Sequence, residues 1–489
     1  MNKSYFNKIT RNIFSFTFGQ LLSLLINLAA IALGARYLGV SDFGIFNYLL
    51  ATIVIITKLI DMGIAPNIFR EYSINKNVGL LNSGIQLRII SFIAFIIIYN
   101  IVCILISISK IEIILSNLLL INMVISSKGF LREIMEIPFK VDLLVHFPII
   151  IMLMDNIIFL VLVIIMPIVQ ADLTYFVLAY TLSNLPGFLI MFFLIKKKYN
   201  YQLTAKLTGT RWLIKKSFPV FIYIIFNAAY LNIDLLLLGN LDSSFSAGIY
   251  SAAFRLVLPI LIVPTAFIHT IFPRITANYH QSPSENPPII RIAFKIFFAL
   301  AFSLAAIVTF KADSIISFIY GQNYLSSSEP LIILLWGMVF MFNSFFVINI
   351  LVAYDKQTGI YIYSIVTLLI NVILNFILIE QYSFMGAAYS KFFSFVIGFI
   401  ITTIVLYKID NTIYLLEKEL LFFSLLIIGL CYFFSLFFSL VFYLIFSFII
   451  VLTSLILSKF FSSYEIKQLL KLINKEKWYK KGFSFFYSE

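Results

Sequence analysis

Charged residues are scarce in this chain: they make up 12% of its 489 residues, whereas soluble globular proteins carry about a quarter. Hydrophobic residues account for 62% of the chain, and the mean hydropathy is +1.03. This composition excludes a water-soluble protein built around one core. It is typical of a protein that consists of membrane-spanning helices, each of which needs roughly 20 apolar residues.

Cysteine and the common catalytic motifs are also lacking. The two cysteines, Cys103 and Cys431, lie in separate apolar runs, which excludes a disulfide framework and a cysteine-based metal site. The chain has no G-x-x-x-x-G-K-[ST] string for nucleotide phosphates and no Asp-x-Asp pair. The longest outer loop, Lys311 to Pro330, is only about 20 residues long. We therefore expect neither an ATP-driven transporter nor an enzyme, and no cofactor or metal.

Charge-poor runs of helical length are abundant. Six lie before residue 196 and six between 218 and 407, while the charge-free stretch from Leu420 to Leu457 is too long for one span and predicts two more. The sequence thus predicts an all-α polytopic membrane protein of 14 helices. Its expected parts are a first lobe (1–195), a basic linker (196–217), a second lobe (218–407), helices 13 and 14 (408–457) and a basic tail (458–489).

The formal net charge of +13 is concentrated on one side of these helices. Seven Lys or Arg residues fall in 196–216 and seven in 459–481, whereas the other side holds three: Arg36, Lys110 and Lys311. The positive-inside rule therefore predicts that both termini are cytoplasmic, and the charge indicates topology rather than nucleic-acid binding. After Glu465 the tail fits either an amphipathic helix on an anionic leaflet or a solvated segment.

A weak internal repeat relates the two lobes. Ser41–Phe46, at the start of the second predicted helix, is similar to Phe245–Tyr250, at the start of the eighth. Repeats of this kind are common in secondary transporters, in which the substrate site lies between the two halves. The repeat indicates a transporter made of two six-helix lobes.

Several strings together resemble one known family. They are Leu33–Asn47, Leu59–Ile64, Ala247–Leu256, Phe272–Arg274 and Gly386–Tyr389. They look like the motifs of bacterial Wzx-type polysaccharide-biosynthesis flippases, which are relatives of the multidrug and toxin extruders. The resemblance implies a V-shaped pair of lobes with two additional C-terminal helices. It also implies alternating access that moves a polyprenyl-diphosphate-linked oligosaccharide across the bacterial cytoplasmic membrane, with the polymerase and glycosyltransferases of the same pathway as candidate partners.

Ionisable residues inside the predicted helices are the candidate functional residues, because a charge at such depth is costly and usually marks a pathway or a buried pair. Asp234 and Arg255 lie at matching depth near the outer ends of neighbouring helices. Asp61 and Arg88 also lie at matching depth, near the cytoplasmic ends of the second and third helices. The two residues of each set are expected either to form a structural ion pair or to take part in substrate binding or ion coupling.

Arg255 and Lys58 are predicted to line a cationic cavity for the diphosphate, with Arg88 near its mouth. Lys58 has the alternative role of an i, i+3 partner of Asp61. Asp155 has no neighbour of matching depth in the predicted helices, which makes it the candidate for a coupling ion or proton.

Two related functions stay open at the level of sequence. A multidrug extruder of the same fold should carry unpaired carboxylates in its cavity, whereas the first predicted helix, Ile13 to Ala35, has no Asp or Glu. A flippase for a lipid-linked peptidoglycan precursor is a closer alternative. Membrane lipid is a further expected partner, and nucleic acid is not.

Overall fold

The computed structural model describes residues 3–465 apart from 128, 203–209, most of 262–285, 355, 357, 411–417 and 463–464. The predicted amphipathic tail after residue 465 and the central part of the predicted linker lie outside the described residues. Every regular element in the described part is a helix, which confirms the predicted all-α class. We call the side that holds the N-terminus the inner side, and the opposite side the outer side.

The chain divides into two compact units, residues 1–251 and 252–489. Unit 1 contains α1 to α10 and most of α11. The bounds are α1 Lys3–Leu38, α2 Val40–Asp61, α3 Ile64–Asn75, α4 Val78–Leu105, α5 Lys110–Ile125, α6 Phe130–Val141, α7 His146–Ile165, α8 Leu173–Leu182, α9 Leu185–Tyr199, α10 Thr210–Leu241 and α11 Ser244–Val257.

Unit 2 begins within α11 and continues through a short 3₁₀ turn. Its described helices are α12 Asn286–Thr309, α13 Ala312–Tyr320, α14 Ser328–Ala353, α15 Thr358–Ile409, α16 Lys418–Phe437 and α17 Leu440–Leu457. Within α15, Ser383 departs from helical geometry (φ 54°, ψ −133°). A Cβ at Gly386 would lie 2.0 Å from the Leu378 carbonyl oxygen, so this tight turn requires glycine.

Thirteen segments of the described chain are long and apolar enough to span a membrane. One of them, Tyr363–Ile409, has 47 residues, which is far longer than a ~30 Å hydrocarbon core requires. It contains the break at Ser383. The protein is thus a multi-pass membrane protein, and the count of fourteen helices stays a prediction.

Two candidate spans of unit 1, Lys110–Val141 and Leu173–Tyr199, are each broken into two helices, and α3 follows α2 after a similar break. None of these breaks is predicted from the sequence. The breaks separate α2 from α3, α5 from α6, and α8 from α9. At the first break Met62 and Gly63 are both left-handed (φ 52° and 62°). At the second, a Cβ on Gly129 would lie 2.6 Å from the Met123 carbonyl oxygen. Helices α3 and α6 therefore occupy stretches that were expected to be loops.

The helices that follow these breaks share an apolar core on the inner side of unit 1. Its buried residues come mainly from α3, α4, α6 and α9, with further members from α7 and α10, and include Ile68, Ile85, Ile134 and Met191. Because helices pack by burying apolar faces, this core fixes α6 among its neighbours. The charged side chains of α6 are thereby held inside the unit.

The outer ends of α2 and α11 approach each other closely. A Cβ on Gly44 would lie 1.7 Å from the Ser244 carbonyl oxygen, and one on Gly248 would lie 2.1 Å from the Val40 carbonyl oxygen. These glycines occupy corresponding positions in the two repeats. Their lack of a side chain permits this crossing, as small residues do between membrane helices.

Candidate functional site

The first predicted ion pair, Asp61 with Arg88, is present in unit 1. Asp61 is the last residue of α2, where the helix dipole disfavours a carboxylate. Arg88 is fully buried, and its Nη2 pairs with Asp61 while its Nη1 donates to the Phe130 carbonyl. The sequence predicts Arg88 near the mouth of a cavity. In the structure Arg88 is instead fully buried and bonded to Asp61 and to the Phe130 carbonyl. Its burial against α6 is the reason for this difference.

Asp155 is not isolated, contrary to expectation. Its Oδ2 lies 2.5 Å from Nη1 of Arg132, and the Arg132 Nε donates to Glu136 at 3.2 Å. Glu136 also pairs with Lys140, one helical turn further along, at 3.0 Å. The expectation was wrong because Arg132 was counted among loop charges, whereas it is fully buried on α6. Acidic and basic side chains thus alternate from Asp155 to the inner end of α6.

Asp155 also lies at the N-terminus of α9. Gly187 is the third residue of that helix, and a Cβ there would lie 2.2 Å from Oδ1 of Asp155. The first amides of a helix lack intrahelical partners and attract anions. Asp155 therefore neutralises both Arg132 and the start of α9, and Gly187 makes the room for it.

We call these residues the buried charge cluster: Asp61, Arg88, Arg132, Glu136 and Asp155. Two further side chains form its rim. Lys58 lies one turn before Asp61 on α2 and is half-buried, and Glu133 on α6 has a side chain that is 42% exposed. Glu133 lies 3.6 Å from Arg88 and within electrostatic range of Lys58. Within the described residues Lys58 has no carboxylate within salt-bridge distance.

The inner end of α6 is fixed by Asp142, the first residue beyond the helix. Its carboxylate receives hydrogen bonds from Lys76 and from Tyr199, the latter at 2.8 Å. Partial burial raises the pKa of Asp142, but these hydrogen bonds and the Lys76 charge outweigh it, so its pKa lies below the usual value. Both ends of α6 are therefore held by charged contacts.

The second predicted pair, Asp234 with Arg255, spans the boundary between the two units and stays a prediction. Asp234 is buried on α10 and accepts a hydrogen bond from Tyr250 on α11 at 3.0 Å. Arg255, in the last turn of α11, is half-buried. Unit 2 also has a buried pair of its own, Lys295 with Glu465 at 3.0 Å.

Amide side chains join the helices of unit 1. Asn27 donates to Asn156 at 3.2 Å, and Asn100 and Asn117 exchange two hydrogen bonds of 3.0 and 2.8 Å. Such bonds are the common use of amides in membrane helices. No group of three His, Cys, Asp or Glu side chains in the described part of the chain is arranged to hold a metal ion.

Sequence reasoning missed Arg132, Glu133 and Glu136 as site residues. The signal was present: Arg132, Glu136 and Lys140 follow each other at i, i+4 spacing among apolar residues. That spacing places them on one face of a helix. A count of loop charges cannot detect a short helix that lies beyond a glycine break.

The family model "Polysaccharide biosynthesis protein" matches residues 9–278, which is more than half of the chain. Among curated proteins, the capsular polysaccharide biosynthesis protein CapF of Staphylococcus aureus is 25% identical over 161 residues. That match covers 32% of this chain and 40% of the relative, so the chain spans less than half the length of that protein.

Solved membrane transporters share the fold. The lipid II flippase MurJ, in an inward closed conformation, has a TM-score of 0.71 at 18% identity, covering 93% of this chain and 99% of that chain. An inward-facing multidrug resistance MATE family transporter of the MOP superfamily has a TM-score of 0.60 at 12% identity, covering 80% and 95%. Together with the family match, which spans the breaks and the charge cluster, this makes the chain a member of the polysaccharide biosynthesis protein family with a flippase-like and transporter-like membrane fold.

Proposed function

We propose that the protein is a flippase that moves a polyprenyl-diphosphate-linked oligosaccharide repeat unit across the bacterial cytoplasmic membrane by alternating access. Support comes from the family, whose description names polysaccharide biosynthesis, and from a fold shared with the solved lipid II flippase MurJ. In this proposal the inner side is the cytoplasm and both termini lie there. The polymerase and glycosyltransferases of the pathway are its proposed partners.

The observation that carries the proposal is that Lys58, among the described residues, lacks a carboxylate within salt-bridge distance. The charge cluster, its rim and the neighbouring Lys140 hold four basic residues, of which Arg88, Arg132 and Lys140 have carboxylate partners within 4 Å. Lys58 has none among the described residues. A cation without a close counter-ion is costly at this depth unless an anion reaches it. A lipid-borne diphosphate is such an anion.

Arg255 is the proposed second diphosphate ligand. Its planar guanidinium can form two parallel hydrogen bonds to phosphate oxygens, which an ammonium cannot. Arg88 contributes positive potential beside Lys58 while Asp61 holds it in place. Binding in this proposal depends on charge matching, and the glycan contributes less.

The engaged carboxylates favour this substrate class over organic cations. Asp61, Glu136 and Asp155 are each paired with a basic side chain, whereas a site for cations should offer unpaired carboxylates. The likeness to the multidrug transporter therefore supports the fold alone. A peptidoglycan-precursor substrate carries the same diphosphate and must be distinguished by its glycan.

The test is complementation in cells whose own repeat-unit flippase has been removed. Lys58→Ala and Arg255→Ala should abolish surface polysaccharide at unchanged protein levels, while Arg255→Lys should retain part of it because the charge remains. Lys110→Ala, which removes an exposed lysine at the outer start of α5, is the matched control and should export normally. Normal export by both alanine variants would refute the proposed site.

A further inference from the structure

Helix α6 is enclosed on almost all sides, with one informative exception. Nine of its twelve residues are buried, including Arg132 and Glu136. Glu133 nevertheless keeps 42% of its side chain exposed. It lies eight residues before the inner end of α6, or ~12 Å along the helix axis. An exposed carboxylate is expensive in hydrocarbon, so we expect the exposed part of Glu133 to face water.

Glu133 is also the more loosely held of the two carboxylates around Arg88. The Arg88 Nη2 contacts Asp61 directly, whereas the Glu133 Oε2 lies 3.6 Å away. Asp61 is buried and Glu133 is not. Lys58 lies one helical turn from Asp61 and within electrostatic range of Glu133. One partly exposed, loosely held anion therefore lies close to two cations.

We propose that Glu133 is a displaceable counter-anion, which neutralises Lys58 and Arg88 when no substrate is bound and gives up Lys58 to the incoming diphosphate. The proposal deepens the function proposed above and rests on it. In the structure Glu133 lies within electrostatic range of Lys58 without forming a close ion pair, so a diphosphate can displace it at little cost. When Glu133 returns to Lys58, it competes with the diphosphate and promotes its release.

This role predicts opposite effects on binding and turnover. Without its carboxylate, Glu133→Gln should bind an isoprenyl diphosphate about threefold to fivefold more tightly, as expected when a competing, partly exposed ion pair is lost. Release should slow, so that turnover in a transport assay falls at saturating substrate. Glu133→Asp keeps the charge on a shorter side chain, so its affinity and turnover should lie between those of the wild type and of Glu133→Gln. This variant provides the test if Glu133→Gln folds poorly.

The experiment titrates the full-length protein in lipid nanodiscs with farnesyl diphosphate. Glu133→Gln is compared with the wild type and with Lys58→Gln/Glu133→Gln, because a competitor for Lys58 has no effect once Lys58 is gone. Glu71→Gln is the matched control: Glu71 is a half-buried glutamate of unit 1 that pairs with Lys216 at 2.6 Å. The Glu71→Gln variant should bind farnesyl diphosphate with the affinity of the wild type.

Unchanged or weaker binding by Glu133→Gln, or tighter binding that persists in the double variant, would overturn the role of Glu133. Such results leave the proposed function standing if Lys58→Gln alone loses affinity. If neither Lys58→Gln nor Arg255→Ala weakens binding of farnesyl diphosphate, the proposed function itself fails. The two failures are thus distinguishable within one set of titrations.

Discussion

Replacement of Asp155 by Asn should destabilise the protein strongly. Asp155 is 3% exposed, and its partner Arg132 is fully buried. Asn has nearly the same shape but no charge, so the variant leaves Arg132 with Glu136 as its remaining carboxylate, at 3.2 Å. It also removes the anion beside Gly187 at the start of α9.

The expected magnitude follows from this geometry. Breaking a buried ion pair by removing one partner costs about 3–5 kcal/mol, because a buried charge is left uncompensated. Glu136 still neutralises part of the Arg132 charge, so we expect a loss of ~2–3 kcal/mol in the free energy of unfolding. The double replacement Arg132→Met/Asp155→Leu should recover most of it, since apolar residues can substitute for a buried pair and Glu136 keeps Lys140.

The assay is equilibrium unfolding of the purified protein in mixed micelles, with transport measured in parallel. Asp172→Asn is the control: Asp172 caps α8 by accepting from the Tyr175 amide at 2.9 Å, and Asn caps helices equally well. It should change stability by less than ~0.5 kcal/mol. If Asp155→Asn were as stable as this control but inactive in transport, Asp155 would be a coupling site and the structural reasoning would be refuted.

Two further predictions concern packing and topology. Gly187→Ala should lower the melting temperature and yield, because its Cβ would lie 2.2 Å from Asp155, whereas Gly429→Ala, with no atom within 4 Å of the new Cβ, should not; equal yields would contradict the close contact. Reporter fusions at Lys206 and at Asp242 should report opposite sides of the membrane, and a same-side result would overturn the proposed topology.

Much of the helical fold was predictable because the long apolar runs of the sequence correspond to helices that can span a membrane. The Asp61–Arg88 pair was predictable for a similar reason: both residues lie at countable depths on continuous helices. Such inferences need only a helical rise per residue and a membrane thickness. The role of Lys58 as a diphosphate ligand stays a prediction.

The rest depended on local backbone geometry that periodicity does not reveal. The left-handed Met62 and Gly63 end α2 and allow α3 to follow at once, although a non-glycine residue with positive φ is uncommon. After the break at Gly129, α6 brings Arg132 to Asp155 and Glu133 to Arg88. Contacts between residues on different helices are decided by tertiary packing, so the charge cluster could not be assembled from sequence spacing.

The most direct test of the proposed function is translocation in proteoliposomes. A polyprenyl-diphosphate-linked oligosaccharide is placed in the membrane, and the fraction reached by a membrane-impermeant glycosidase is followed with time. We predict that the reconstituted protein makes the saccharide accessible from the opposite leaflet and that liposomes with Arg255→Ala behave like protein-free ones. Accessibility that does not change with the wild-type protein, while the same preparation transports an organic cation, would contradict the account.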